Sequence, residues 1–278
     1  MRLGVSTDFA KQDAEEWAKT VRQAGCGCVV FPLDYRAPEE KIEAYAKAAK
    51  RHNLVIAEVG AWCNPISPDL EERKAALEKT KKQLRLADQI KANCCVNVAG
   101  STGDKWSGAY RGNFTRETWK LTVKTIQEII DEVNPVHTFY TIEPMPYMYP
   151  MDVDEYMRLI EEVDRERFAV HMDFFNWINT PHKYFFHEEY MEECFEKLGP
   201  LIKSCHLKDV MLQQDLTCIL QEMPCGMGEI NLQKYISLAE HYNPEMPMIM
   251  EHLKSQQAYL ESIVRVKKAM EGTGILFH

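Results

Sequence analysis

Residues 54–100 read LVIAEVGAWCNPISPDLEERKAALEKTKKQLRLADQIKANCCVNVAG. The apolar run LVIAEVGAW (54–62) gives way to DLEERKAALEKTKKQLRLADQI, whose apolar residues recur at spacings of three and four, and a second apolar run, CCVNVAG (94–100), follows. The runs read as strands and the stretch between them as a helix with one apolar side.

Working outward, the same unit repeats. Further apolar runs are LGVST (3–7), CVVFP (28–32), TFYTIEP (138–144), FAVHMDFF (168–175), IKSCHLKDV (202–210) and PMIMEHL (247–253), eight runs in all. Amphipathic stretches such as AEEWAKTVRQAG, PEEKIEAYAKAAKRHN, TRETWKLTVKTIQEIIDEV and SQQAYLESIVRVKKAMEG lie between them, several opening on Asp, Thr, Ser or Pro and closing near Gly or Asn. Strand then helix, repeated eight times, predicts an α/β fold of the (β/α)8 TIM-barrel type. A doubly wound open sheet shares the alternation, but its Gly-rich dinucleotide turn is missing after the first strand. No linker, charge block or low-complexity tract divides the chain, so residues 1–278 are expected to form one domain. The long connections 100–114 and 211–230 would be βα loops on the catalytic face.

Composition narrows the function. Apolar residues make up 45% of the chain and charged ones 27%, as in a globular protein with a sizeable core. Acidic residues outnumber basic ones 42 to 33, a formal charge of −9, so neither nucleic acid nor an anionic membrane is expected as a partner. The start lacks a signal-peptide pattern and no run is long enough to span a bilayer, which places the protein in the cytoplasm. Nine cysteines without a CxxC pair read as reduced thiols packed in a core.

In PMIMEHL a glutamate closes an apolar run, and an ionised Glu is rarely buried without compensation. A barrel puts its catalytic residues at the carboxyl ends of strands. Four consecutive runs, the fifth to the eighth, carry a metal-capable residue there: Glu143 in TIEP, Asp173 in VHMDF, His206 in SCHLKD and Glu251 in MEHL. Three carboxylates and one imidazole suit a divalent ion, Mn²⁺ first, with Mg²⁺, Co²⁺ or Zn²⁺ as alternatives. Such an ion can hold the carbonyl and hydroxyl oxygens of a sugar and stabilise an enediolate, while Glu143 and Glu251 remove and return a proton. The reaction expected is isomerisation or epimerisation of a sugar or sugar phosphate. A dehydratase or lyase with the same chemistry, of the keto-inositol or carbon-glycoside type, and a non-catalytic sugar-binding barrel subunit are the alternatives.

Around the quartet, Lys208 lies two residues beyond His206 and faces the same way, towards a substrate oxygen, carboxylate or phosphate. Asp209 should point away and form a structural ion pair. His171, two before Asp173, shares its face but lies deeper, supporting the site or touching substrate. Trp62 and Asn64 can wall and contact a sugar, and Trp106, Tyr110 and Arg111 can close over it. His252 should turn away from the mouth by strand alternation. GMGEIN (226–231) reads either as a phosphate-binding run of amides or as a turn and cap, leaving the substrate phosphorylated or free.

The quartet, with GAWCNPISPD (60–69), DFFNWIN (173–179), SCHLKD (204–209) and GMGEI (226–230), resembles the sugar phosphate isomerase/epimerase family of xylose-isomerase-like barrels over nearly the whole chain. Within it the chain is similar to ketose 3-epimerases. That resemblance implies metal ligation by Glu143, Asp173, His206 and Glu251, proton transfer by Glu143 and Glu251, a small carbohydrate substrate, and homo-oligomers of the kind family members often form. The pattern departs where many such epimerases have a histidine and an arginine, since Asn176 and Leu212 stand there. Asn176 and Lys208 agree instead with a branch whose strands end in DPxN and HxKD, which makes Asn176 a substrate contact by resemblance.

Overall fold

The computed structural model describes residues 1–6 and 13–278; Thr7, which closes the first expected run, lies outside the described residues. Eight parallel strands form the barrel: β1 (Arg2–Val5), β2 (Cys28–Val30), β3 (Val55–Gly60), β4 (Cys94–Asn97), β5 (Phe139–Ile142), β6 (Phe168–Met172), β7 (Ile202–Leu207) and, after an antiparallel hairpin of β8 (Asp209–Gln213) and β9 (Ile219–Met223), β10 (Pro247–Met250). They pair in the order β1-β10-β7-β6-β5-β4-β3-β2. The Gly27 N–H donates to the Leu3 carbonyl at 2.7 Å and joins the two ends of the sheet into a nearly closed barrel.

The outer helices include α1 (Ala14–Gln23), α2 (Glu39–Arg51), α3 (Leu70–Ile90), α4 (Arg116–Val133) and α5 (Val153–Val163), then α6 (Pro181–Phe185), α7 (His187–Leu198), α8 (Leu232–Tyr242) and α9 (Gln256–Ala269). Their starts follow the predicted chemistry. Asp69, Thr115, Asp152 and Ser255 each accept a backbone N–H of the first turn, a cap contributing about 1 kcal/mol. On α4 the buried face is Trp119, Val123, Ile126 and Ile130. Spacings of three and four put these side chains on one side, where each contributes roughly 1.5–3 kcal/mol on burial against the sheet.

Two expectations change here. The seventh run, 202–210, is two strands rather than one: β7 ends at Leu207 and the chain turns into the β8–β9 hairpin. The connection 211–230 therefore carries the end of β8 and all of β9. Among the described residues Asp209 makes no ion pair; its carboxylate accepts from the backbone N–H groups of Val210 (2.9 Å), Gly226 (3.0 Å), Gly228 (2.9 Å) and Ile230 (3.0 Å). GMGEI folds round this side chain so closely that a Cβ on Gly228 would lie 2.3 Å from Asp209 Oδ1. The amides that might have cradled a phosphate are already engaged.

Asp209 thus holds the hairpin's return to the barrel. Asp209→Ala should cost at least about 2 kcal/mol, because several buried N–H groups lose their acceptor together. Urea unfolding measures this; a loss under about 0.5 kcal/mol, ordinary for a surface change, would show that the amides find other partners.

Candidate metal centre

Glu143, Asp173 and Glu251 are the first residues past β5, β6 and β10, and His206 is the next-to-last residue of β7. Adjacent parallel strands in register deliver all four to one depth, and all four are buried. The carboxylates gather on a single imidazole nitrogen: His206 Nδ1 lies 3.1 Å from Glu143 Oε1, 3.3 Å from Asp173 Oδ2 and 3.0 Å from Glu251 Oε1. The four donor atoms lie within 4.8 Å of one another. Three hard oxygen donors and one imidazole nitrogen converging on one point fit a divalent cation.

The local turns explain the aim of each group. Asp173 Oδ1 accepts the Asn176 N–H at 3.2 Å and caps a 3-10 turn over Phe174–Trp177, leaving Oδ2 for the site. The Asn176 side-chain amide donates to Asp173 Oδ2 (2.9 Å), the Pro144 carbonyl (3.0 Å) and Glu143 Oε1 (3.2 Å). Lys208 Nζ lies 2.6 Å from Asp173 Oδ2 and 2.7 Å from Glu251 Oε1, and donates to Asn176 Oδ1 at 3.3 Å. Asn176 and Lys208 therefore orient the carboxylates from positions that also face the mouth.

Charge is shared unevenly. Burial pushes the Glu143 carboxyl up to about 8, with Glu251 adding to the rise against the pull of His206. Burial also opposes charge on Asp173 and Glu251, but Lys208 and His206 outweigh it and hold both well below the usual carboxylate range. His206 is buried too, yet Glu251 and Glu143 hold its pKa well above that of an ordinary histidine.

Glu143 and Glu251 line a cavity of about 340 Å³ with Trp62, Trp106, Met145 and His252. The Trp62 indole folds over Gly60, where a Cβ would lie 2.0 Å from Nε1. A second hollow of about 450 Å³ opens over Asn176 and Lys208, bordered by the hairpin residues Val210, Leu220 and Glu222. A further hollow of about 740 Å³ lies at the opposite end of the barrel between α2 and the end of α3 and contains none of the quartet.

Other expected contacts go elsewhere. Asn64 is buried and clamps Ser101, its Nδ2 donating to the Ser101 carbonyl (2.7 Å) and its Oδ1 accepting the Ser101 N–H (3.1 Å). Arg111 opens a 3-10 turn with its side chain exposed, outside both hollows of the mouth. That loop is pinned by buried Asn113, which donates to the Gly108 (3.0 Å) and Tyr147 (3.1 Å) carbonyls. His171 is fully buried beneath His206, their rings 4.1 Å apart, and does not reach the cavity.

His252 departs from expectation in the other direction. β10 stops at Met250, so strand alternation no longer applies, and a φ of +59° turns the ring into the cavity. There its Nδ1 lies 3.1 Å from Glu222, which is itself 3.5 Å from Lys208 Nζ. Sequence reading missed Glu222, hidden in an expected loop. It also missed Glu58, although a glutamate inside LVIAEVGAW raises the same question as the one in PMIMEHL.

The chain belongs to the xylose isomerase-like TIM-barrel family, whose model matches residues 11–269. No curated protein matches the sequence. Among solved structures, it is similar to the probable 3-DHS dehydratase AsbF from Bacillus anthracis (16% identity, 98% of this chain and 99% of that one, TM-score 0.72). It is also similar to the 3-keto-D-glucoside 4-epimerase YcjR from E. coli (14%, 96% and 99%, 0.69) and to a D-psicose 3-epimerase (14%, 97% and 95%, 0.67). At these identities the likeness is one of fold.

Lys208→Met should destabilise the metal-free protein by roughly 3–5 kcal/mol at pH 7, because two buried carboxylates lose their cation. Since both are held below an unfolded value of about 4, the stabilisation is present above that pH and fades as the pH falls. The gap between variant and wild type in urea unfolding should therefore narrow towards pH 3; a gap constant with pH would point to packing instead.

Proposed function

We propose that the protein is a divalent-metal-dependent carbohydrate epimerase or isomerase, with Glu143 and Glu251 as its proton carriers. The observation that carries this reading is the convergence of the two glutamates, Asp173 and His206 at the floor of a cavity walled by two tryptophans. Epimerases among the solved structures of similar fold support the reaction class.

Glu143, Asp173, His206 and Glu251 would hold the ion, with Mn²⁺ our first choice and Mg²⁺, Co²⁺ or Zn²⁺ as alternatives. When bound it would polarise the carbonyl and neighbouring hydroxyl of a sugar and acidify the carbon between them. Glu143 and Glu251 reach the cavity from different strands, so one can take the proton of that carbon and the other return one. The Trp62 indole is placed to cover the sugar's apolar face, and His252 can donate to a hydroxyl. The substrate we favour is an unphosphorylated sugar. Among the described residues no lysine or arginine lines the cavity, and the GMGEI amides are engaged by Asp209. Dehydration is the second reading, supported by the fold's likeness to AsbF: the same proton is removed, but a neighbouring hydroxyl then leaves. Nine free cysteines suit a reducing compartment, and we place the enzyme in the cytoplasm.

In deuterated water with Mn²⁺, a panel of free ketoses should gain deuterium beside the carbonyl without losing water. Glu143→Gln and Glu251→Gln should each lower that exchange by about 10²-fold or more, the usual contribution of a general acid or base. Because ligation needs Glu143 ionised and burial pushes it up to about 8, Mn²⁺ should bind more tightly as the pH rises from 6 to 8. Full exchange after exhaustive chelation would overturn the metal-dependent reading, and loss of water would favour the dehydratase.

A further inference from the structure

Glu58, in the middle of β3, is 1% exposed, and among the described residues its Oε2 finds no hydrogen-bond donor. A carboxylate in such a place is costly unless its neighbours compensate it, and its neighbours are two imidazoles. Glu58 Oε1 lies 3.6 Å from His206 Nε2, and Oε2 lies 3.2 Å from His171 Nδ1. His171 Nδ1 is in turn 2.6 Å from Ser204 Oγ, and its Nε2 has no hydrogen-bond partner among the described residues. The two nitrogens of His206 thus face opposite ways, Nδ1 into the quartet and Nε2 towards Glu58.

The backbone is irregular at these side chains. Between β2 and β3 the register runs Val29↔Ile56 and then Val30↔Glu58, so Ala57 is extra; between β6 and β7 it runs Val170↔Ile202 and then His171↔Ser204, so Lys203 is extra. Bulges are rare between parallel strands, and near active sites they re-aim a side chain. Both fall next to members of one buried cluster.

We propose that Glu58 is a positioning residue that fixes the His206 ring, holding Nε2–H on its carboxylate side so that the Nδ1 lone pair stays aimed at the metal position, with His171 and Ser204 holding Glu58 in place from below. The proposal rests on reading the quartet as a metal site. A ligating histidine whose far nitrogen meets a carboxylate is fixed in tautomer and orientation, and loss of that carboxylate typically weakens metal binding 10–100-fold.

The test compares wild type, Glu58→Leu and Glu58→Gln by Mn²⁺ titration and by the His206 Nε2–H proton signal in metal-free and Mg²⁺-loaded protein. Mn²⁺ should bind with one ion per chain, roughly 10–100-fold more weakly in Glu58→Leu, with part of the loss recovered in Glu58→Gln, whose side-chain oxygen still accepts. The slowly exchanging Nε2–H signal should disappear in Glu58→Leu and persist in Glu58→Gln. Unchanged Mn²⁺ affinity and an unchanged signal, whatever happens to the melting temperature, would overturn the proposal. So would two ions per chain with one lost in Glu58→Leu, since Glu58, His171 and His206 would then themselves hold a cation. If wild type binds no Mn²⁺, the reading of the quartet falls, and the proton signal still decides whether Glu58 holds the ring. Should Glu58→Leu fail to fold, His171→Gln, which removes the support below Glu58, must shift the same signal.

Discussion

Three carboxylates crowded round one imidazole nitrogen set the terms for the rest of the molecule. Two like charges about 4 Å apart repel by about 4 kcal/mol even where the effective dielectric constant is near 20, and these groups are almost wholly shielded from water. The fold answers the repulsion by setting Lys208 between Asp173 and Glu251, while burial pushes the Glu143 carboxyl up and the neighbouring carboxylates raise the pKa of His206. Lys208 is thus a countercharge built into the cluster itself.

That logic also explains which parts of the molecule could be read from sequence. Strand ends are legible because alternation and burial set an apolar run against a charge at its carboxyl end, and Glu143, Asp173 and Glu251 each break a run in that way; His206 follows from the same placement on β7. The helices were legible for an equally local reason, since spacing and caps lie within a few residues of one another. What was not legible depends on contacts across the chain or on irregular backbone. Asp209 finds amides 17 to 21 residues later, and no local pattern announces such a fold-back. His252 follows a strand too short to carry alternation that far, so a positive φ decides where it points. Asn64 and Asn176 are polar residues near the mouth, where sequence alone cannot separate binding a sugar from binding the neighbouring chain.

Glu58 is instructive because its signal was present in the sequence. A charge inside an apolar run was informative at Glu251, which stands at the mouth; the same signal in LVIAEVGAW lies two residues before the end of β3 and so below the mouth. A TIM-barrel interior is normally layered with branched apolar side chains. Here a polar column descends instead, from His206 through Glu58 and His171 to Ser204, whose Oγ lies 3.3 Å from Cys94 Sγ.

Replacing such a column by well-packed apolar residues would often leave a protein as stable or more so, so stability does not account for it. The two bulged registers strengthen the point, since each gives up regular pairing next to a member of the column. Each bulge falls beside a member of the column, and the column meets the quartet at the back of His206. A ring fixed from behind presents one nitrogen to three carboxylates on different strands, a constraint those strands could not impose from the mouth alone.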